Sequence, residues 1–167
     1  MGRRTVLSAR GFTLGTGNIL AAFQTAAVNS AGALIRITRI EVGQSGTTTL
    51  GMCDLEFATR DTAGTLTMTS TTPQPLIVGG AASGLSGNTP PAGAVARSGT
   101  NSSADSGGTY TNSIFFAPFA NTAGFLWKPD PKEELFVPPS KLVVVRFATA
   151  PAATTGWMVA LHLDEDP

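Results

Sequence analysis

The stretch ALIRITRIEVG (33–43) constrains the fold more than any other part of the chain. Ile35 and Ile37 share one parity, with Arg36 and Thr38 on the other; then the phase slips, and Ile40 and Val42 alternate with Arg39 and Glu41. Successive side chains of a strand point to opposite faces, so an unbroken strand would send two of these four apolar side chains to solvent. One extra residue, a β-bulge near Thr38–Arg39, returns all four to a single face. Few windows elsewhere carry a 3.6-residue apolar period, so the pattern argues for sheet throughout.

The same two-residue alternation recurs. MCDLEFATR (52–60) places Cys53, Leu55 and Phe57 on one face and Asp54 and Glu56 on a solvated one. TLTMTS (65–70) turns Leu66 and Met68 inward, and GWMVALHL (156–163) aligns Trp157, Val159, Leu161 and Leu163. QPLIVG (74–79) reads as a short edge strand, because Pro75 has no amide to donate to a ladder. Further strands are read at TVLSA (5–9), ILAAFQTAA (19–27), TYTNSIFFAPF (109–119), GFLW (124–127), ELFV (134–137) and KLVVVRFA (141–148). KPDPKEE (128–134) and PPSK (138–141) are turns, since their prolines fix φ and their charges stay in water. LVVVRF fits a central strand buried on both faces except at Arg146, which must pair with a carboxylate or reach an interface. The expected fold is all-β: an antiparallel β-sandwich or jelly roll of about eight or nine short strands with extended loops.

The 167 residues fit one domain, 1–167. Residues 1–17 are read as an N-terminal arm. Residues 79–108 are read as a long Gly/Ser/Pro-rich loop, either lying on the surface or reaching onto a neighbour. Charged residues make up only 13% of the chain, and their formal sum is zero. Nucleic-acid binders carry a basic excess or stripe, so that class is set aside. No run approaches the roughly 18 apolar residues of a membrane helix. The Arg3–Arg4 pair resembles a twin-arginine export signal, but Gly15, Gly17, Asn18 and Gln24 interrupt the apolar run that should come after it. A single cysteine excludes an internal disulfide framework, and its place beside Leu55 and Phe57 marks it as a buried thiol.

The catalytic inventory is thin. His162 is the only histidine and faces away from Leu161 and Leu163, as an exposed strand residue would. A lone histidine cannot build a multi-histidine metal site. ADSGGT (104–109) echoes the serine motif of trypsin-like proteases, but His162 comes after Ser106 in the chain where those enzymes place the histidine first. Asp54 and Glu56 are read as an ordinary solvated strand face, and the acidic end DEDP (164–167) lacks the spacing of a calcium loop. No enzyme activity, cofactor, metal or small-molecule substrate is expected. Two features stand out instead. Arg3, Arg4 and Arg10 oppose Asp164, Glu165 and Asp166 at the two ends of the chain, a polarity that favours contacts between the ends or between neighbouring copies. Phe115, Phe116, Phe119, Phe125 and Trp127 crowd into a short segment on both strand parities, which marks them as candidate interface residues.

IRITRIEVGQSG (35–46), the Ala/Thr/Gly/Pro-rich middle, GFLWKPDPKEELFVPPSKLVVVRFATAPA (124–152) and GWMVALHLDED (156–166) together resemble a known group. They are similar to small all-β structural proteins encoded beside the capsid genes of tailed bacteriophages and prophages. The resemblance covers most of the chain, and its motifs are structural. It implies a capsid cement, or decoration, protein of jelly-roll type. Such a protein would be made in the host cytoplasm and sit on the outer surface of the phage head as a homotrimer. Its partners would be the major capsid protein and itself, with no nucleic acid and no membrane. The Arg3/Arg4 arm and the 79–108 loop would then be the clamping parts. Two alternatives use the same fold: a phage tail or fibre component, and a carbohydrate-binding jelly roll with Tyr110, Trp127 or Trp157 as its stacking platform. A hydrolase built on His162 is the weakest reading.

Overall fold

The structure, a computed structural model, describes residues 2–46, 49–60, 65–87, 90, 96–106 and 108–166, with the side chains of residues 115 and 116 left out. Among these residues it has thirteen strands. They are β1 (Arg3–Phe12), β2 (Ile19–Gln24), β3 (Ile35–Gln44), β4 (Met52–Arg60), β5 (Thr65–Ser70), β6 (Gln74–Pro75) and β7 (Ser86–Gly87). The later ones are β8 (Arg97–Ser106), β9 (Tyr110–Ala120), β10 (Phe125–Trp127), β11 (Leu135–Val137), β12 (Leu142–Phe147) and β13 (Trp157–Glu165). One sheet runs β10–β3–β13–β1–β6, with β11 also on β3; the other runs β5–β8–β2–β12–β4–β9, with β7 on β8. Every ladder is antiparallel except β7 with β8. The protein is a β-sandwich.

The ladders nest. β1 pairs with β13 and β2 with β12, so the first strands meet the last. Inside them β3 pairs with β10 and β11, β4 with β9, and β5 with β8. The ribbon β4–β9 is followed by the ribbon β5–β8: Arg60 faces Tyr110 at the end of the first and Thr65 faces Ser106 at the start of the second. At the far end of the second ribbon, β8 lines up beside β2. Few changes of partner separate neighbours in sequence, which keeps connections short and uncrossed.

The bulge in β3 is present where parity requires it. Leu163 of β13 faces Ile37 and the adjacent His162 faces Arg39, so Thr38 is the extra residue. Its hydroxyl donates to the His162 carbonyl at 3.3 Å. Ile35, Ile37, Ile40 and Val42 are all buried as a result. The main core lies between the sheets and gathers Leu7, Phe23, Phe57, Phe147, Trp157 and Leu161. Phe147 and Trp157 meet with ring centroids 4.6 Å apart, a contact that adds to plain area burial.

A second apolar cluster lies on the outer face of the β2–β12–β4 sheet. Ile19, Ala22, Ala58, Leu142 and Val144 face away from the main core and are covered by Leu66 and Met68 of β5. Leu66 and Met68 are buried, as the alternation in TLTMTS predicts, beneath the folded-back ribbon rather than between the two sheets. The same cover explains why β12 is buried on both faces.

Two expectations are corrected. Residues 3–12 are not a free arm: they form β1, held between β13 and β6. The 79–108 segment is not one loop, because Arg97–Ser106 is strand β8, laddered to both β2 and β5. Its hydroxyls take the place of apolar side chains. Ser98 donates to the Thr71 carbonyl at 2.6 Å, and Ser102 donates to the Thr67 and Ala104 carbonyls at 3.2 and 2.6 Å. Buried polar groups satisfied in this way carry little penalty.

Candidate interaction surface

The outer face of the other sheet carries no such cover. Alternation along β1, β13 and β3 turns Arg4, Ser8 and Arg10, then Met158, Ala160, His162 and Asp164, then Arg36, Arg39 and Glu41 outward. Most of these charges are matched. Arg36 pairs with Asp164 and with Glu134, the latter at 3.1 Å. The hydrogen bond to Asp164 raises the Arg36 pKa further, against burial, with Glu134 adding to the effect. Arg39 Nε lies 2.8 Å from the Glu41 carboxylate as an ion pair, and His162 Nε2 lies 3.0 Å from the same oxygen. His162 is thus half-buried and carboxylate-paired, not the free exposed residue expected. Arg4 and Arg10 are exposed and have no ion partner among the described residues.

Small residues leave this face hollow. Where Ala160 of β13 and Gly43 of β3 bring no bulk, an open groove of about 680 Å³ runs between β1 and β10. Met158 and Leu126 form apolar walls, and Arg10 and Glu41 mark its polar rim. Leu126 and Phe136 are exposed on the same sheet. Beside β1 the chain makes a tight turn in which the Gly80 amide donates to the Ile77 carbonyl at 2.8 Å. Gly79 holds φ at 75°, a backbone state that suits glycine. Leu76, Ile77 and Val78 are exposed there, Val78 completely. The Leu76 amide donates to the Arg4 carbonyl at 2.9 Å, which ties the base of the turn to β1. The sequence carried a sign of this feature that the strand reading absorbed: an apolar triplet closed by Gly79–Gly80, with Pro75 limiting its ladder.

Some of the terminal charges meet one another, the first of the two contacts their opposite signs favour. Arg3 pairs with Asp166 at 2.6 Å, and Asp164 with Arg36. Glu165 is fully buried and accepts from Thr5, Ser83 and the Gly84 amide at 2.6, 2.5 and 2.6 Å. Burial pushes the Asp166 carboxyl up, but the Gly32 amide, Arg3 and the Leu34 amide outweigh it and hold it below the usual range. Asp164, Glu165 and Asp166 therefore staple the chain ends and the loops beside them. Of the six, Arg4 and Arg10 are the two that are exposed without an ion partner among the described residues.

The aromatic group divides similarly. Phe119 is buried and packs at 5.6 Å on Phe125 and 6.2 Å on Phe147, and Trp127 rests on the same core. Phe119 is thus a core residue, whereas Phe125 and Trp127 are partly buried against the core and Phe125 also lines the open groove. The side chains of Phe115 and Phe116 lie outside those described. Two stacking platforms of the carbohydrate alternative are also occupied. Trp157 is fully buried, and the Arg146 guanidinium sits 3.6 Å from the Tyr110 ring centroid.

That arginine belongs to a network where the two ribbons meet. Arg146 donates to Glu56 at 2.7 Å, which satisfies the carboxylate expected for it and draws Glu56 out of solvent. Tyr110 donates to Asp105, and Asp105 also takes the Arg60 guanidinium, whose side chain is 0% exposed. Burial, then the bond to Asp105, raises the Tyr110 pKa, so the hydroxyl remains a donor. A Cβ at Gly108 would fall on the Arg60 guanidinium, so a side chain there would require that guanidinium to shift. Cys53 is buried with its thiol pKa raised by burial and by the Asp54 charge, as befits an unreactive core residue. Among the described residues no cluster of three or more potential metal ligands occurs, and no helix is long and apolar enough to cross a membrane. No family model, curated protein or solved structure matches the chain.

Proposed function

We propose that the chain is a structural virion protein, a cement protein that binds over junctions of major capsid subunits and stabilises a phage head. The observation that carries this reading is the pairing of a rigid frame with the exposed apolar turn Leu76–Ile77–Val78. Contiguous exposed apolar residues mark contact sites, and a frame with stapled ends presents them without an ordering cost on binding. The nested pairing of β1 with β13, β2 with β12, β3 with β10 and β11, and β4 with β9 supports a jelly roll, an architecture of viral capsid and lectin domains. Many shallow contacts repeated by symmetry add up to firm attachment even when each is weak.

The test is mass spectrometry of heads and tails separated from virions of a culture that produces the chain. The expected result is the chain in the head fraction, in fixed ratio to the major capsid protein. Recovery in tails alone would favour the tail or fibre reading, and absence from both fractions would overturn the proposal.

A further inference from the structure

We infer that the open groove receives a short extended segment of the partner, with a carboxylate on Arg10 and apolar side chains over Ala160 and Gly43. For the identity of that partner, a capsid subunit, this rests on the reading above. Register sets the floor. Arg10, Met158 and Gly43 stand side by side across β1, β13 and β3. The next outward row is Ser8, Ala160 and Glu41, extended by Leu126 of β10, and the row after it is Val6, His162 and Arg39. Glu41 turns toward that last row: its Oε1 lies 2.8 Å from Arg39 Nε and 3.0 Å from His162 Nε2. Its charge is met there. The uncompensated charge on the groove is therefore that of Arg10, exposed and without an ion partner among the described residues. A positive rim beside an apolar floor favours an acidic partner with apolar neighbours to its acid.

The shape favours a segment over a free small molecule. Ligand sites cover roughly 70–90% of a drug-sized molecule, whereas this hollow of about 680 Å³ stays open along its length. From β1 across β13 and β3 to β10 is three strand spacings, about 14 Å, the reach of about four extended residues. A segment of that length is covered on its other side by the protein that carries it. A Cβ on Gly43 would stand 3.2 Å from the Met158 Sδ, so glycine lets the thioether lie down and keeps the floor low. The flexible thioether and the exposed Leu126 can then close on apolar side chains of differing shape.

The experiment titrates the full chain with blocked tetrapeptides of sequence Leu-Ala-Leu-Asp, Leu-Ala-Leu-Asn and Leu-Ala-Leu-Lys, and follows the backbone amides by NMR. The Asp peptide, at up to about 10 mM, should move the amides of Gly43, Met158 and Ala160. It should bind at least about threefold more tightly than the Asn peptide, the effect of one exposed ion pair. In Arg10→Glu the order should reverse, with the Lys peptide preferred to the Asp peptide. Arg10 is exposed and has no ion partner to lose, so this variant should keep the wild-type spectrum away from the groove. Ala160→Trp fills the floor and should remove the response to all three peptides. Groove amides that do not move, equal binding of the three peptides, or an unchanged order in Arg10→Glu would each overturn the contact. The two readings fail separately. A chain found on purified heads whose groove ignores the peptides would remove this contact alone and leave the cement function standing. Peptide binding as expected in a chain absent from virions would do the reverse, and the groove would serve a different acidic partner.

Discussion

The two outer faces of the sandwich are treated in opposite ways. On the β2–β12–β4 face, the β5–β8 ribbon folds back, buries an apolar cluster and seals Arg60 from water. On the β3–β13–β1 face nothing among the described residues lies over the strands, and the surface keeps paired charges, a groove and exposed apolar side chains. Both faces are built from alternating strands of similar length. The difference comes from the chain between β4 and β9, a ribbon long enough to bend over one face and return along the edge of β2. One face became interior, and the other remained available for contact.

Asp105→Ala should break this comparison most severely. It leaves Arg60 buried without its carboxylate and removes the acceptor of Tyr110, so stability should fall by about 3–5 kcal/mol in urea unfolding. Loss of less than about 0.5 kcal/mol, the usual surface effect, would mean that the network is solvated and the face is not sealed. Leu66→Ala should cost about 2–3 kcal/mol, the lower part of the range for buried leucines, since a single ribbon can settle over the gap. Hydrogen exchange should place the added opening in β5 and β8 while the main core keeps its protection.

Asp166→Asn should act through pH. The folded carboxyl sits below its unfolded value, so its contribution is complete above the ordinary carboxylate range and is lost as pH falls through the lowered folded value. Acid titration of stability should therefore be flatter below about pH 4 in the variant than in the wild type. A parallel pair of curves would show that the staple carries no linked stability. The smallest effect is expected on the open face. Leu126→Ser should change stability by no more than about 0.5 kcal/mol, because the side chain is already largely in water. A loss comparable with that of Leu66→Ala would show that the open face is in truth covered.

The open and covered faces also differ in how far the sequence reveals them. The bulge at Thr38 is legible because four apolar residues must share one face, and parity admits few solutions. The pairing of Arg146 is legible because a buried cation needs a carboxylate. Strand β8 is not legible: RSGTNSSADS has almost no apolar residue to alternate, and its strand state depends on ladders supplied by β2 and β5. The folded-back ribbon is hidden for the same reason, since alternation in TLTMTS shows that Leu66 and Met68 are buried without showing on which side of the sheet. The terminal charges left two partners open, the other chain end or a neighbouring copy. Opposite signs at two chain ends predict that they meet, and β1 lying beside β13 makes that meeting internal. On the contact side, the exposed turn was masked because Leu76, Ile77 and Val78 look like a strand until Gly79 reverses the chain.

Methionine oxidation, read by peptide mass spectrometry, tests the account most directly. Met158 lies on the open face at 39% exposure, Met68 under the ribbon at 8%, and Met52 at 67% near the start of β4. In the dispersed chain Met158 and Met52 should oxidise while Met68 resists. In the virion-bound chain Met158 should become protected, with Met52 and Met68 unchanged. Rapid oxidation of Met68 in the free chain, or protection at Met52 with Met158 still reactive in the bound one, would contradict the assignment of the β3–β13–β1 face as the contact surface.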